Sequence, residues 1–324
     1  MLLEVSELAV DVATRGGLQR VVDRTSFSLA EGESLGVVGE SGSGKTMTAL
    51  ALMALTPEAA RVSGSICFEG RELVGLDEDA MRRLRGDRIA MIFQEPMTAL
   101  NPLRRVGAQV AEPLRLHRDL SKGEAQAQAV ALLERVRLAE PERAARSYPF
   151  QLSGGERQRA MIAMAIGCTP RLIIADEPTT ALDVTVQARI LALIDGLRVE
   201  SKMAILLVSH DLAVIAGHCD RVIVMYGGVI MESGPVEAVL REPRNPYTLA
   251  LLEARPRPGA PRGARLQTIP GAAPVTHQHN AGSPFADRCA LTIDICRAVT
   301  PPEVVFEAGH VSRCHRAREV GFAS

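Results

Sequence analysis

The feature that most restricts the fold of this chain is a glycine-rich loop between a short apolar run and a helix-like segment. Ser34 to Val38 is apolar enough for a buried strand, and Thr46 to Leu55 has the composition of a helix. The full pattern G-x-x-x-x-G-K-[ST] links them through Gly39, Glu40, Ser41, Gly42, Ser43, Gly44, Lys45 and Thr46. Strand, loop and helix in this order predict a phosphate-binding unit of an α/β fold. The alternative, a chance glycine-rich turn, would not explain the strand before the loop or the helix after it.

The residue types in this loop suit a nucleoside triphosphate. Its glycines let backbone N–H groups converge on phosphate oxygens, and the positive end of the following helix points at them. Lys45 would reach the β- and γ-phosphates, and Thr46 would ligate Mg²⁺. The sequence therefore predicts a site for a magnesium-bound nucleotide.

Polar side chains follow two later apolar runs, Leu172 to Ala175 and Ala204 to Ser209, which are typical of buried parallel strands. Asp176 ends the first run, where it is placed to hold the Mg²⁺ shell. Glu177 offers a carboxylate to orient or deprotonate the attacking water. His210 follows the second run, at the sheet edge that carries the phosphate site. A helix cap and a structural histidine are the alternatives, and the phosphate loop favours the catalytic interpretation.

The remaining segments differ in character along the chain. Residues 2–12 and 21–30 alternate like strands, and residues 96–150 are rich in helix formers punctuated by proline. Residues 157–166 and 184–200 read as further helices. Beyond Asn245-Pro246-Tyr247 periodic apolar pattern is scarce, so we expect a loop-rich tail.

Composition excludes several classes of protein. A net charge of −1, no Trp, three Tyr and seven Phe argue against bulk nucleic-acid binding and base stacking. The apolar runs are far shorter than the ~18–20 residues of a membrane span, and the N-terminus lacks a secretory pattern. We expect a cytoplasmic protein with reduced cysteines, whose connection to a membrane comes through a partner.

Further motifs, together with those above, resemble the ATP-binding subunits of ATP-binding cassette (ABC) transporters. Leu152-Ser153-Gly154-Gly155-Glu156 is similar to the signature loop, Gln94 to the Q-loop, Thr180-Ala181-Leu182-Asp183 to the D-loop and His210 to the switch histidine. The resemblance covers residues 1–245 as an ABC ATPase domain, with a helical subdomain at 95–160. It implies an α/β P-loop NTPase of ABC type. A mixed sheet core, an N-terminal antiparallel β subdomain and a loop-rich extension at 246–324 are expected.

The resemblance also implies roles for individual residues. The catalytic residues would be Glu177, His210 and Gln94, and the Mg²⁺ ligands Thr46, Gln94 and Asp176. The nucleotide would be ATP, bound by Gly39 to Thr46 together with Asp176. The γ-phosphate of ATP on an opposing subunit would be bound by Ser153, Gly154 and Gly155, with Asp183 at the dimer interface.

A closer resemblance is to the oligopeptide/dipeptide importer group. It rests on Gly39 to Leu50, Phe93 to Pro102, Tyr148 to Gln151 and Asn245 to Thr248. It implies an ATPase that energises peptide uptake, with nickel or another small solute as the alternative. The implied partners are a second ATPase (F-type, this chain being D-type), two membrane permease subunits and an external solute-binding protein, without nucleic acid. The chain would lie peripherally on the cytoplasmic face of the inner membrane, with Met97 to Pro102 facing the permease.

Two departures from this group stand out. Many relatives have four cysteines in the tail that can hold an iron–sulfur cluster, whereas here Ser283 precedes Cys289, Cys296 and Cys314. Because clusters prefer thiolate ligands, two interpretations stay open: a cluster completed by Ser283 or His315, and a vestigial fold stabilised by packing alone. Relatives also stack an aromatic residue on adenine, and the matching hairpin here has Val12.

Two other functions are weighed against transport. Soluble ABC proteins that act on DNA or the ribosome normally carry a long coiled coil or two cassettes, and 324 residues with one phosphate loop fit neither. A P-loop kinase would not need the signature loop.

Overall fold

The computed structural model describes residues 1–180, 182–254, 268–272 and 281–321. Ala181 of the predicted D-loop lies outside the described residues, as do residues 255–267, 273–280 and 322–324 of the predicted extension.

Twelve strands and twelve α-helices occur in those ranges. The strands are β1 (Leu3–Thr14), β2 (Gly17–Leu29), β3 (Ser34–Val38), β4 (Ala60–Phe68), β5 (Arg71–Glu72), β6 (Ile89–Ile92), β7 (Leu172–Asp176), β8 (Ala204–Ser209), β9 (Arg221–Tyr226), β10 (Val229–Pro235), β11 (Glu303–Val305) and β12 (Val311–Arg313). The helices are α1 (Lys45–Leu52), α2 (Glu78–Leu84), α3 (Pro96–Ala99), α4 (Val106–His117), α5 (Lys122–Arg135), α6 (Pro141–Arg146), α7 (Gly154–Ile166), α8 (Val184–Ser201), α9 (Leu212–His218), α10 (Val236–Arg241), α11 (Pro246–Glu253) and α12 (Asp294–Ala298).

The chain forms two compact units. The first unit comprises Met1–Leu2, Leu29–Glu33 and Gly75–Val208, and the second comprises Leu3–Ser28, Ser34–Val74 and Ser209–Ser324. The predicted division of the chain at residues 245 and 246 stays a prediction.

The first unit has a parallel sheet and the helical insert. Strands β6, β7 and β8 pair in parallel, with Ile89 opposite Leu172 and Leu172 opposite Ala204. Every residue of these strands is buried, which explains their continuous apolar sequence. The helical insert predicted from residue 96 onward is present as α3 to α7.

Helix α7 begins earlier than the sequence indicated. We expected a helix over 157–166, behind the signature glycines, but Gly154 and Gly155 already form its first turn. Glycine disfavours a helix interior by roughly 1 kcal/mol. Here Ser153 and Glu156 form a capping box that starts the helix in spite of those glycines.

The second unit has two sheets. One is antiparallel in the order β2-β1-β4-β5, as predicted for the N-terminal part. In the other, β3 pairs in parallel with β9, and β9, β10, β12 and β11 follow as antiparallel neighbours. The tail therefore adds two strands that the sequence did not reveal. At three residues each, β11 and β12 are too short to show an alternating pattern.

Candidate functional site

The glycine-rich loop is packed against the backbone of its own unit. A Cβ at Gly39 would lie 2.1 Å from the carbonyl oxygen of Met225. One at Gly44 would lie 2.8 Å from that of Val21, and Gly44 has a φ of +100°. Gly228 N–H donates to the Ser43 carbonyl at 2.9 Å. Glycine is therefore required at Gly39 and Gly44, and the loop is fixed between β2 and the turn from β9 to β10.

Lys45 brings a buried positive charge to this loop. Its side chain is 5% exposed, and its Nζ donates to the carbonyl oxygens of Gly39 at 2.8 Å and Glu40 at 3.0 Å. Lys45 is also the first residue of α1, whose N-terminus carries partial positive charge. Thr46 follows it and is exposed. A backbone loop, a helix N-terminus and an ammonium group together suit a phosphate chain with its metal ion.

In the first unit, the predicted catalytic residues Gln94 and Glu177 are in contact. Asp176 ends β7 and is 2% exposed, and Glu177 follows with a φ of +45°, a strained value for a residue other than glycine. Glu177 Oε2 accepts hydrogen bonds from Gln94 Nε2 at 3.1 Å and from Thr180 Oγ1 at 2.8 Å. Glu177 N–H donates to Val208 O at 3.0 Å. The carboxylate is thus oriented by residues that follow two neighbouring strands.

The predicted signature residues form the N-terminus of α7. Glu156 N–H donates to Ser153 Oγ at 3.3 Å, and Ser153 N–H donates to Glu156 Oε2 at 2.8 Å. The hydroxyl and the backbone N–H of Ser153 both lower the pKa of the Glu156 carboxyl, so it is ionised at neutral pH. The first turn of a helix also offers N–H groups that have no partner within the helix. This end of α7 is therefore suited to an anion.

The first residues of α7 lie close to the first turn of α8. A Cβ at Gly155 would be 3.2 Å from Val186 Cγ1. Asp183 is exposed and caps α8 by accepting from Val186 N–H at 2.9 Å. Asp183, which was predicted to lie at a dimer interface, therefore has a local structural role as well.

The predicted site residues are divided between the units. The first unit contains Gln94, Ser153, Gly154, Gly155, Asp176, Glu177 and Asp183. The second contains Gly39, Glu40, Ser41, Gly42, Ser43, Gly44, Lys45, Thr46, His210, Cys289, Cys296 and Cys314. His210 is exposed and directly follows β8. At the hairpin where the family resemblance implied an aromatic ring, Val12 is half-buried.

The three tail cysteines are free thiols. Burial raises the pKa of Cys289, and it raises the pKa of Cys314 to about 11. His315 donates through Nε2 to Val299 O at 3.0 Å. Among the residues that the structure describes, no group of His, Cys, Asp or Glu is arranged to hold a metal ion. Three cysteines and Ser283 do not supply the four thiolates that an iron–sulfur cluster prefers.

Two partners of the phosphate-binding loop were not predicted from the sequence. Arg288 forms an ion pair with Glu40, and Tyr247 Oη accepts a hydrogen bond from Glu40 N–H at 2.8 Å. The only sequence signal was Glu40 itself, an acidic residue in a loop that should bind an anion.

Comparisons with known proteins show what this chain is similar to. Residues 22–180 match the family described as ABC transporter, and residues 231–296 match the oligopeptide/dipeptide transporter C-terminal region. The chain is 45% identical to the probable peptide ABC transporter ATP-binding protein y4tR of Sinorhizobium fredii, over 99% of this chain and 96% of the relative. It is 47% identical to the oligopeptide transport ATP-binding protein OppD of Salmonella typhimurium, over 98% and 95%. Identity to OppD of Escherichia coli is also 47%, over 98% and 94%.

Solved structures show the same fold. The dimeric ATP-binding cassette MJ0796, in a post-hydrolysis state with ADP and Pi, superposes with a TM-score of 0.65 at 27% identity. The match covers 72% of this chain and 99% of that one. Within the described residues, no helix combines the length and apolarity needed to cross a membrane.

Proposed function

The chain belongs to the ABC transporter family of ATP-binding proteins, and from this premise we propose that it couples ATP hydrolysis to the import of di- or oligopeptides through a separate membrane permease. Its relatives are named as oligopeptide or peptide transport ATP-binding proteins. The match of residues 231–296 to the peptide-transporter C-terminal region supports the same solute class.

The main support for ATP hydrolysis is the orientation of the Glu177 side chain. Its carboxylate accepts from Gln94 and Thr180 at 3.1 and 2.8 Å, next to the buried Asp176. A carboxylate held in a fixed orientation after the predicted metal-binding aspartate is the group that phosphoryl transfer to water needs. We assign Glu177 the role of orienting and deprotonating the attacking water.

The other residues take the roles that their motifs predict. Lys45 and the loop from Gly39 to Thr46 bind the triphosphate, and His210 contacts the γ-phosphate. Thr46, Gln94 and Asp176 would hold Mg²⁺, which would neutralise charge on the phosphates. Ser153, Gly154 and Gly155 bind the γ-phosphate of ATP on an opposing subunit, with Asp183 at the interface. ATP binding then closes the two subunits, and hydrolysis reopens them.

The assembly follows from these roles. We propose a second ABC ATPase subunit, two permease subunits and an external solute-binding protein, with this chain peripheral on the cytoplasmic face of the membrane. MJ0796, which was solved as a dimer, supports an ATPase pair. No comparison supports an F-type identity for the second subunit, so the proposal extends only to an ABC ATPase.

Peptide-stimulated ATP hydrolysis tests this function. The chain is co-purified with its permease subunits and binding protein and reconstituted into vesicles. A di- or oligopeptide should raise the ATPase rate, and Glu177→Gln should abolish it. Stimulation by nickel or another small solute, with no response to peptides, would contradict the solute class while leaving the ATPase role intact.

A further inference from the structure

Glu40 of the phosphate-binding loop is bonded by residues far from it in sequence. Its carboxylate forms two hydrogen bonds with Arg288, from Nη1 at 2.5 Å and from Nη2 at 3.1 Å. Its N–H donates to Tyr247 Oη at 2.8 Å, and its carbonyl accepts from Lys45 Nζ at 3.0 Å. Both Tyr247 and Arg288 belong to the predicted C-terminal extension. The extension thus contacts both the side chain and the backbone of Glu40 in this loop.

Arg288 is itself rigidly placed. Its side chain is only 9% exposed, and its remaining N–H group, Nε, donates to Pro270 O at 2.7 Å. Nη1 also donates to Tyr226 Oη at 3.1 Å. A guanidinium group with this many fixed acceptors loses little further entropy in pairing with a carboxylate. Its bidentate geometry then fixes the position of Glu40.

A cluster of three aromatic rings contacts the Arg288–Glu40 pair through Tyr226. The rings of Tyr226 and Tyr247 lie 4.7 Å apart, and Phe285 lies 5.2 Å from each of them. Phe285 precedes the short 3₁₀ turn that carries Arg288. Tyr226 ends β9, next to the turn whose Gly228 binds the loop at Ser43. The cluster therefore joins the extension to the strand that supports the phosphate-binding loop.

The charge of Glu40 gives the pair a consequence for nucleotide binding. A carboxylate within the loop repels a triphosphate bound there, because like charges at a partly buried site are weakly screened. Arg288 compensates that charge, and the carboxylate in turn raises the pKa of Arg288, so the guanidinium stays protonated. Without Arg288 the loop would retain an uncompensated negative charge at 26% exposure.

We propose that Arg288 is a positioning residue for ATP binding, through which the C-terminal extension fixes and neutralises Glu40 of the phosphate-binding loop. The inference rests on the proposed function, since it requires that this loop binds ATP. It makes the extension part of the nucleotide site and not only an addition to the ATPase domain.

The test measures the affinity of the full-length chain for a fluorescent ATP analogue with Mg²⁺. Arg288→Ala should weaken binding about tenfold. Arg288→Lys, which keeps the charge but loses the bidentate geometry, should fall in between. Because Glu40→Gln removes the uncompensated charge, the double variant Arg288→Ala/Glu40→Gln should recover most of the lost affinity. Arg297→Ala is the matched control: it breaks the exposed Arg297–Asp287 pair, which is also in the extension, and should leave affinity unchanged.

The outcomes separate three cases. Weaker binding by Arg288→Ala that the double variant restores supports the proposal. Unchanged affinity in Arg288→Ala overturns it, as does a double variant that binds as poorly as Arg288→Ala, because the defect would then be one of folding. Thermal unfolding of each variant identifies that last case independently. A parental chain that binds no ATP contradicts the proposed function itself.

Discussion

At the scale of single residues, Lys45 is the cation that the phosphate-binding loop contributes. It is 5% exposed, and its Nζ donates to two carbonyl oxygens of the loop at 2.8 and 3.0 Å. A buried ammonium group of this kind is stabilised when an anion binds. We therefore expect Lys45→Ala to weaken ATP binding about tenfold or more.

Equilibrium binding of an ATP analogue to the full-length chain checks this expectation. Lys122→Ala is the matched control, since Lys122 is exposed at the start of α5. Equal affinities for Lys45→Ala and Lys122→Ala would refute the assignment of the loop.

Glu177 provides the second prediction at this scale. In Glu177→Gln the new side chain keeps a carbonyl oxygen for the hydrogen bonds from Gln94 and Thr180 but cannot accept a proton from water. Turnover should fall about 10²- to 10⁴-fold while ATP affinity stays close to the parental value. Steady-state ATPase rates and analogue binding on the same preparation measure both quantities, and ATP should trap the closed dimer. A rate near the parental one would show that another group acts as the base.

The sequence revealed some site residues better than others. Gly39 to Thr46 and Asp176-Glu177 were visible because their chemistry requires contiguous residues beside an apolar strand. The Arg288–Glu40 pair was not, because its partners are 248 positions apart and no local pattern connects them. The contact between Gln94 and Glu177, 83 positions apart, likewise required the pairing of β6 with β7.

At the scale of elements, two helices offer a matched pair of capping boxes. Ser153 and Glu156 cap α7 at the signature loop, and Ser121 and Glu124 cap α5 within the helical insert. Ser153→Ala and Ser121→Ala should each lower the free energy of unfolding by about 1 kcal/mol. Only Ser153 is proposed to contact ATP on an opposing subunit.

This pair separates a capping role from a catalytic one. Ser153→Ala should leave ATP binding by the isolated chain intact but strongly reduce hydrolysis in the assembled complex. Ser121→Ala should leave both unchanged. Binding and ATPase assays on the isolated chain and on the complex measure this difference. If both variants lose the same fraction of activity, Ser153 acts through helix stability alone.

The elements that could be predicted from sequence were those with a regular spacing of apolar residues or with a continuous apolar run. The residues of β3, β7 and β8 are all buried, and their sequences are continuous apolar runs. Helix α7 begins three residues before the predicted start at residue 157, because the capping box of Ser153 and Glu156 stabilises a first turn that contains two glycines. Strands β11 and β12 depend on pairing with β10 and with each other, which is a tertiary effect.

At the scale of the whole molecule, the chain matches its relatives over nearly its full length. The 98% coverage of this chain by OppD of Salmonella typhimurium includes the C-terminal extension. The Arg288–Glu40 pair gives that extension a physical connection to the phosphate-binding loop. The solute does not follow from the residues of the nucleotide site, because the ATPase is proposed to act on it only through the permease.

The most direct test of the ATPase and import roles is the rate of ATP hydrolysis by the reconstituted complex with and without an oligopeptide. With the permease subunits, the solute-binding protein and a second ATPase subunit present, we predict a rate that rises on adding peptide. That rate should disappear when Glu177→Gln replaces the parental chain. A complex that hydrolyses ATP equally with and without any solute, or whose Glu177→Gln form remains active, would contradict the account.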